Sequence, residues 1–162
     1  NYPHIKFLLV APEEKDSHEA IDKDYILNVE SRSNLQWLGF RKDIRNLYAL
    51  SDISVLQSYY KEGGYPRALL EPMAYGKPVI AGDTDLCRGP VEHDKNGYVI
   101  PVKDSNALSN AILKIESSRE IQKKFGKYSK RKVESEFDDK LIIREMLSKI
   151  GLYDLLSVNL ED

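Results

Sequence analysis

The chain has 162 residues, 41% of them apolar and 31% charged, and carries a net charge of −2. That is long enough to bury one ordinary core, and too hydrophobic for a disordered chain. The charge balance gives no global field toward nucleic acid or an anionic membrane. A lone cysteine, Cys87, excludes an internal disulfide framework, and no apolar run reaches the ~20 residues of a spanning helix.

The sequence opens on Asn1-Tyr2-Pro3-His4, with no Met and no charged-then-apolar leader, and passes almost at once into an apolar run. Such an abrupt start is expected of a piece of a longer chain. Continuous apolar runs at Ile5–Val10, Leu35–Leu38, Ile53–Gln57, Pro78–Ala81 and Gly97–Ile100 read as parallel strands covered on both faces. Between the first two, Ser17 is placed to cap a helix to about Glu30, with Ile21, Tyr25, Ile26 and Val29 on one stripe. Asp43 is placed to cap a second helix to Leu50, with Ile44, Leu47, Tyr48 and Leu50 facing inward. A third runs from Arg67 to Tyr75 and is closed by Gly76, with Pro78 just beyond.

Alternating strand and helix predict an α/β fold with a Rossmann-like, doubly wound parallel sheet. The last third is helical by period over Asp104–Ser117, Arg119–Glu136 and Asp138–Ile150, before Gly151 and the apolar Leu152–Leu156. The expected organisation is one domain over 1–150 and a C-terminal extension over 151–162. Within the second C-terminal helix, the basic run Gln122–Lys132 is diluted by Glu134, Glu136, Asp138 and Asp139 and reads as a solvated face.

In an open α/β sheet, ligands collect beyond the carboxyl ends of the strands. The loop after the third strand is the richest in special residues. Gly63-Gly64 lets the backbone turn sharply and approach a ligand, and Pro66 suits the first helical position. The N–H groups of Arg67, Ala68 and Leu69 then form an anion site, with Arg67 as a charge-assisted donor. Glu71, one turn on, suits a ribose diol, and Glu62 across the glycines suits a second set of hydroxyls. Acids on either side of an anion site fit a ligand with hydroxyl-rich groups flanking a diphosphate, which describes a nucleotide sugar. A plain turn with a solvated Glu62 and a dipole-favouring Glu71 is the competing account of the same residues.

The segment Glu62-Gly63-Gly64-Tyr65-Pro66-Arg67-Ala68-Leu69-Leu70-Glu71-Pro72-Met73-Ala74-Tyr75-Gly76-Lys77-Pro78-Val79-Ile80 closely resembles the signature of family 4 (group 1) glycosyltransferases, retaining enzymes of the GT-B fold. Leu38-Gly39-Phe40, Ala49-Leu50-Ser51-Asp52 and Glu92-His93-Asp94-Lys95-Asn96-Gly97-Tyr98-Val99-Ile100 follow in family order. The resemblance implies the C-terminal, donor-binding half of a two-domain enzyme. In it, Glu62 contacts the donor hexose and Glu71 the ribose, while Gly63, Gly64, Tyr65, Pro66, Arg67, Ala68 and Leu69 form the donor-binding segment, whose backbone N–H groups (Pro66 has none) hold sugar and diphosphate. Gly39, Phe40 and Arg41 line the base pocket, and Glu62 and Arg67 carry the catalytic roles.

It further implies a UDP-sugar donor, an acceptor glycan or lipid-linked glycan, no metal or other cofactor, no nucleic-acid partner, and a cytoplasmic site or one peripheral to the cytoplasmic membrane face. Eight residues separate Glu62 from Glu71, one more than the family pattern has. The family's first strand of this half and its N-terminal acceptor domain have no counterpart here, so the fragment alone is expected to bind donor weakly and catalyse nothing. Asp83-Thr84-Asp85 has the spelling of a metal motif but reads as a polar loop. His93 reads as loop decoration, and Cys87 as a small buried residue. A nucleotide-sugar epimerase, a dinucleotide-dependent oxidoreductase and a non-catalytic flavodoxin-like module are the rival readings. The oxidoreductase needs a Gly-x-Gly-x-x-Gly turn that Val10-Ala11-Pro12-Glu13-Glu14 does not offer.

Overall fold

The structure is a computed structural model that describes residues 2–13, 20–59 and 64–152. The chain divides into two compact units, Asn1–Ile44 and Arg45–Asp162. In the first, β1 (Phe7–Leu9) and β2 (Leu35–Trp37) pair in parallel, Phe7 opposite Leu35 and Leu9 opposite Trp37. Between them α1 (Lys23–Glu30) starts at Asp22, whose carboxylate accepts the Asp24 N–H at 2.6 Å. The cap expected at Ser17 lies outside the described residues. The end of β2 is tied down by Trp37, which donates from its backbone to Glu30 Oε1 at 3.0 Å and from its indole to the Ala11 carbonyl at 2.9 Å.

The second unit is the larger. It runs from α2 (Ile44–Leu50), which begins at the division, through β3 (Ser54–Leu56), α3 (Arg67–Ala74), β4 (Val79–Gly82), α4 (Asp85–Arg88) and β5 (Gly97–Ile100). The helices α5 (Ser105–Glu116), α6 (Arg119–Glu136) and α7 (Asp139–Lys149) complete it. Its three strands form a parallel sheet in the order β3-β4-β5, with Val79 opposite both Ser54 and Gly97. Alternating strands and helices with all-parallel pairing are the expected fold class, distributed over two small sheets.

Burial follows position in the sheet. Every residue of the central β4 is buried, and nearly all of β5. The edge strand β3 leaves Val55 exposed, and β1 leaves Phe7 and Leu8 exposed, so coverage on both faces holds for β4 and β5 only. The core joins Leu69 and Met73 of α3, Val79 and Ala81 of β4, Cys87 of α4, and Val91. Leu56, Val99 and Val133 pack against it. Two stripes are narrower than their period implied: Ile21, Tyr25 and Leu50 are exposed. Ile21 precedes the first turn of α1, and short strands offer each helix only a slim apolar face. After β4, Asp83 and Thr84 lie in the expected polar loop, and Asp85 opens the single turn α4, which brings Cys87 inside.

Two glycine positions are fixed by backbone contact. A Cβ on Gly97 would strike the Val79 carbonyl oxygen, and a Cβ on Gly126 would strike that of Gly76. Gly76 itself has φ +67°, the left-handed turn that ends α3. Asn96 is fully buried; its amide donates to the Pro90 carbonyl at 3.0 Å and accepts the Glu92 N–H at 2.8 Å, which pins the loop before β5. The last three helices are capped by Asp104, Ser118 and Asp138 on the N–H groups of Ala107, Ile121 and Leu141. Beyond Leu152, the expected apolar extension lies outside the described residues.

Gly97→Ala is expected to cost about 3 kcal/mol or more, because the clash is with backbone and not with a side chain that can turn away. Denaturant unfolding, with circular dichroism as the readout, checks it.

Candidate functional site

The carboxyl ends of β3 and β4 approach closely: a Cβ on Gly82 would stand 2.9 Å from the Ser58 carbonyl oxygen and 3.3 Å from Gln57 Oε1. Gln57 Oε1 is itself buried with no hydrogen-bond partner among the described residues. Beyond these strand ends begins α3. Pro66 is its N-cap, not its first helical residue as the sequence implied, and supplies no side-chain cap. The Pro66 carbonyl accepts the Leu69 N–H at 2.9 Å and the Leu70 N–H at 3.3 Å. The expectation of a free amide at Leu69 is therefore corrected: a tight first turn already engages it, and the Leu69 side chain lies in the core. Arg67 and Ala68 remain the first-turn amides with no intrahelical acceptor. Gly64, Tyr65, Arg67 and Ala68 are exposed, so this helix start is open to solvent.

Glu71 stands one turn further on, its side chain 32% exposed. Its Oε1 accepts from Arg67 Nε at 3.0 Å and from a terminal guanidinium nitrogen at 2.9 Å. Thus the two charged groups assigned to a ligand hold each other. Arg67 is 88% exposed and has a long stem, so the pair is a weak one that competing charges can open. Tyr48 of α2 stacks at a tilt on Tyr75, ring centroids 6.3 Å apart; burial, and then the Glu71 carboxylate beside it, push its phenol above the ordinary range. Pro72 is buried inside α3, and the helix continues through it to Ala74. Tyr65 uses its ring structurally, edge-on to Phe137 at 5.2 Å and over Gly89.

Glu62 and Gly63 lie outside the described residues. In the first unit, Gly39 takes the left-handed conformation at φ +61° after β2, and Phe40 is exposed. Arg41 donates to both oxygens of Asp43, the residue directly before α2, at 2.8 and 2.7 Å. Asp83 is held in the same bidentate way by Arg88, at 2.6 and 3.0 Å, and Asp85 is exposed. No group of three or more His, Cys, Asp and Glu residues suited to a metal occurs among the described residues. His93 Nδ1 meets the Val99 backbone, 3.3 Å from its N–H and 3.1 Å from its carbonyl oxygen.

The strongest electrostatic feature was not anticipated. Lys132, only 7% exposed, donates to Glu92 Oε1 at 2.6 Å and to Glu136 Oε2 at 2.7 Å. The Tyr128 hydroxyl donates to both Glu92 oxygens at 3.1 Å, and Lys95 reaches Oε2 at 2.7 Å. Bonds from Lys132 and then Lys95 hold the Glu92 carboxyl well below its ordinary 4.5, at about 2. Burial pulls Lys132 down, but Glu136 and Glu92 outweigh it and hold the ammonium above its usual range. The network fastens α6 to the loop that carries Glu92 and His93. Its signal was the spacing Phe125, Ser129, Lys132, which puts the lysine on the buried stripe of α6.

The parallel strand–helix winding is Rossmann-like, the architecture of one half of the GT-B fold. The crystal structure of Anabaena Alr3699/HepE in complex with UDP superposes with a TM-score of 0.83 over 92% of this chain and 41% of that one, at 23% identity. The chain belongs to the glycosyl transferases group 1, whose family model matches residues 4–132. Spore coat protein SA of Bacillus subtilis (strain 168) is 34% identical over 108 residues, 66% of this chain and 28% of that protein. The Escherichia coli UDP-Gal:alpha-D-GlcNAc-diphosphoundecaprenol alpha-1,3-galactosyltransferase is 29% identical over 92 residues, 57% of this chain and 23% of its own length. The chain therefore spans about a quarter of the length of these two relatives.

Because Glu92 binds its proton less readily folded than unfolded, its contribution to stability is complete above about pH 4.5 and is lost as pH falls toward about 2. Glu92→Gln is expected to flatten that acid limb and to cost about 1–3 kcal/mol at neutral pH. Denaturant midpoints measured from pH 7 to pH 2 check both.

Proposed function

We propose that this chain is the donor-binding half of a retaining glycosyltransferase that takes a UDP-sugar, with acceptor contacts from a preceding domain of the same polypeptide. The observation that carries this reading is the uncapped, solvent-open start of α3 with Glu71 one turn behind it. Family membership, a relative named for UDP-Gal and a lipid diphosphate acceptor, and a similar structure named for its UDP complex support it.

The chemistry follows from charge. The bond from the anomeric carbon to the diphosphate oxygen breaks, the acceptor hydroxyl oxygen forms the new bond on the same face, and the hydroxyl proton passes to the departing diphosphate oxygen. Negative charge gathers on the departing diphosphate, where the Arg67 and Ala68 amides are donors and the Arg67 guanidinium, once it leaves Glu71, is another. Glu71 takes the ribose diol as a double acceptor, and Gly64 and Tyr65 bring backbone close to the phosphates. Glu62 and Gly63 keep the hexose roles that the resemblance assigns, as do Gly39, Phe40 and Arg41 for the base. No step requires a metal. The acceptor is a glycan, free or lipid-linked, and the site of action is the cytoplasm or the cytoplasmic membrane face.

Donor binding then exchanges one ion pair for two interactions: Arg67 turns to phosphate, and Glu71 is released to ribose. This gives a separable test by calorimetry with UDP and with uridine. Glu71→Ala is expected to weaken both ligands about tenfold, while Arg67→Ala weakens UDP about tenfold and leaves uridine unchanged or slightly tighter. Equal affinities for wild type and both variants would overturn the assignment. So would a protein that binds neither ligand.

A further inference from the structure

The net charge of −2 conceals a segregation. Over Arg119–Glu136, α6 carries seven cations against three acids. At 100° per residue, Arg119, Lys123, Lys124, Lys127, Lys130 and Arg131 fall within an arc of about 140° that extends about 18 Å along the helix. All six are exposed, and Phe125, Gly126, Ser129 and Lys132 occupy the buried side. Lys132 pairs with Glu92 and with Glu136, which is exposed but lies off the arc, and this leaves only Glu120 and Glu134 as acids on it. Arg119 reaches Asp52 at 3.6 Å and Lys130 reaches Glu134 at 4.0 Å. For Lys123, Lys124, Lys127 and Arg131, no carboxylate stands within 4.0 Å among the described residues.

We infer that this arc of α6 rests on an anionic phospholipid surface. A single small anion needs convergent donors, and these cations stand apart on an open convex helix. A nucleic-acid strand calls for stacking platforms between the charges. The nearest ring, Tyr128, is half-buried and bonded to Glu92. Fluid headgroups require neither pocket nor register, only several exposed cations within a Debye length, and this arc supplies them. The charge layout carries the inference independently of the donor site; a lipid-linked acceptor would give the contact a use.

The test is co-sedimentation of the protein with vesicles of phosphatidylcholine alone or with about 30% phosphatidylglycerol, at low salt and at about 0.3 M salt. The expected result is binding to the anionic vesicles only, lost at the higher salt. It should fall at least tenfold in K123Q/K124Q/K127Q and be kept in K123R/K124R/K127R. Equal partitioning onto both vesicles, or undiminished binding by the glutamine variant, would sink the inference. Stronger retention on a single-stranded oligonucleotide than on anionic vesicles would overturn it in favour of a nucleic-acid partner. UDP titrations of the same samples separate the two readings. Wild-type UDP affinity in the glutamine variant shows that it is folded, and vesicle binding without any UDP binding would leave the lipid contact standing while the donor site fell.

Discussion

The seating of α3 on β4 is the constraint on which the larger unit depends. Leu69 and Met73 are buried against Val79 and Ala81, so the helix has one rotational setting about its axis. That setting turns Arg67 and Ala68 outward at its start and leaves Glu71 half in and half out on the following turn. Ordinary apolar burial, on the order of 25 cal/mol per Å², thus fixes the direction of polar groups that contribute little to stability themselves. The polar face is a by-product of the core, which is why it can be open without being loose.

The second organising contact is ionic. A lysine as buried as Lys132 would be strongly destabilising alone. With two carboxylates on its ammonium, and Glu92 in turn held by Tyr128 and Lys95, the charges are compensated and the loop before β5 gains a fixed anchor. Asn96 secures the same loop from the other side by closing it on itself. Two unrelated devices on one short loop mark it as a segment whose position matters more than its sequence length would suggest.

Much of this was legible before the structure. The apolar runs found the strands because parallel β4 and β5 are covered almost throughout, and the glycine after Tyr75 ended α3 for a steric reason that holds in any context. Period alone misplaced Ile21, Tyr25 and Leu50, since it reports that a face is apolar but not whether anything is wide enough to cover it. At the candidate site, residue types pointed to the start of α3, but the cap position of Pro66 and the closed Leu69 amide depend on the backbone angles of one turn. The Arg67–Glu71 pair was in principle readable from its four-residue spacing. Lys132 was hidden by its neighbours: in a run of six basic residues, composition says surface, and only the helical phase singles out the one that points inward.

The contact between Gly76 and Gly126 has a mechanical consequence. Where two elements meet through side chains, rotamer changes can absorb a small displacement. Here the peptide planes themselves touch, and there is no compliant layer between the end of α3 and the middle of α6. A push or tilt on α6 must pass undamped to the helix that presents Arg67 and Glu71, as through a rigid coupling rather than a spring.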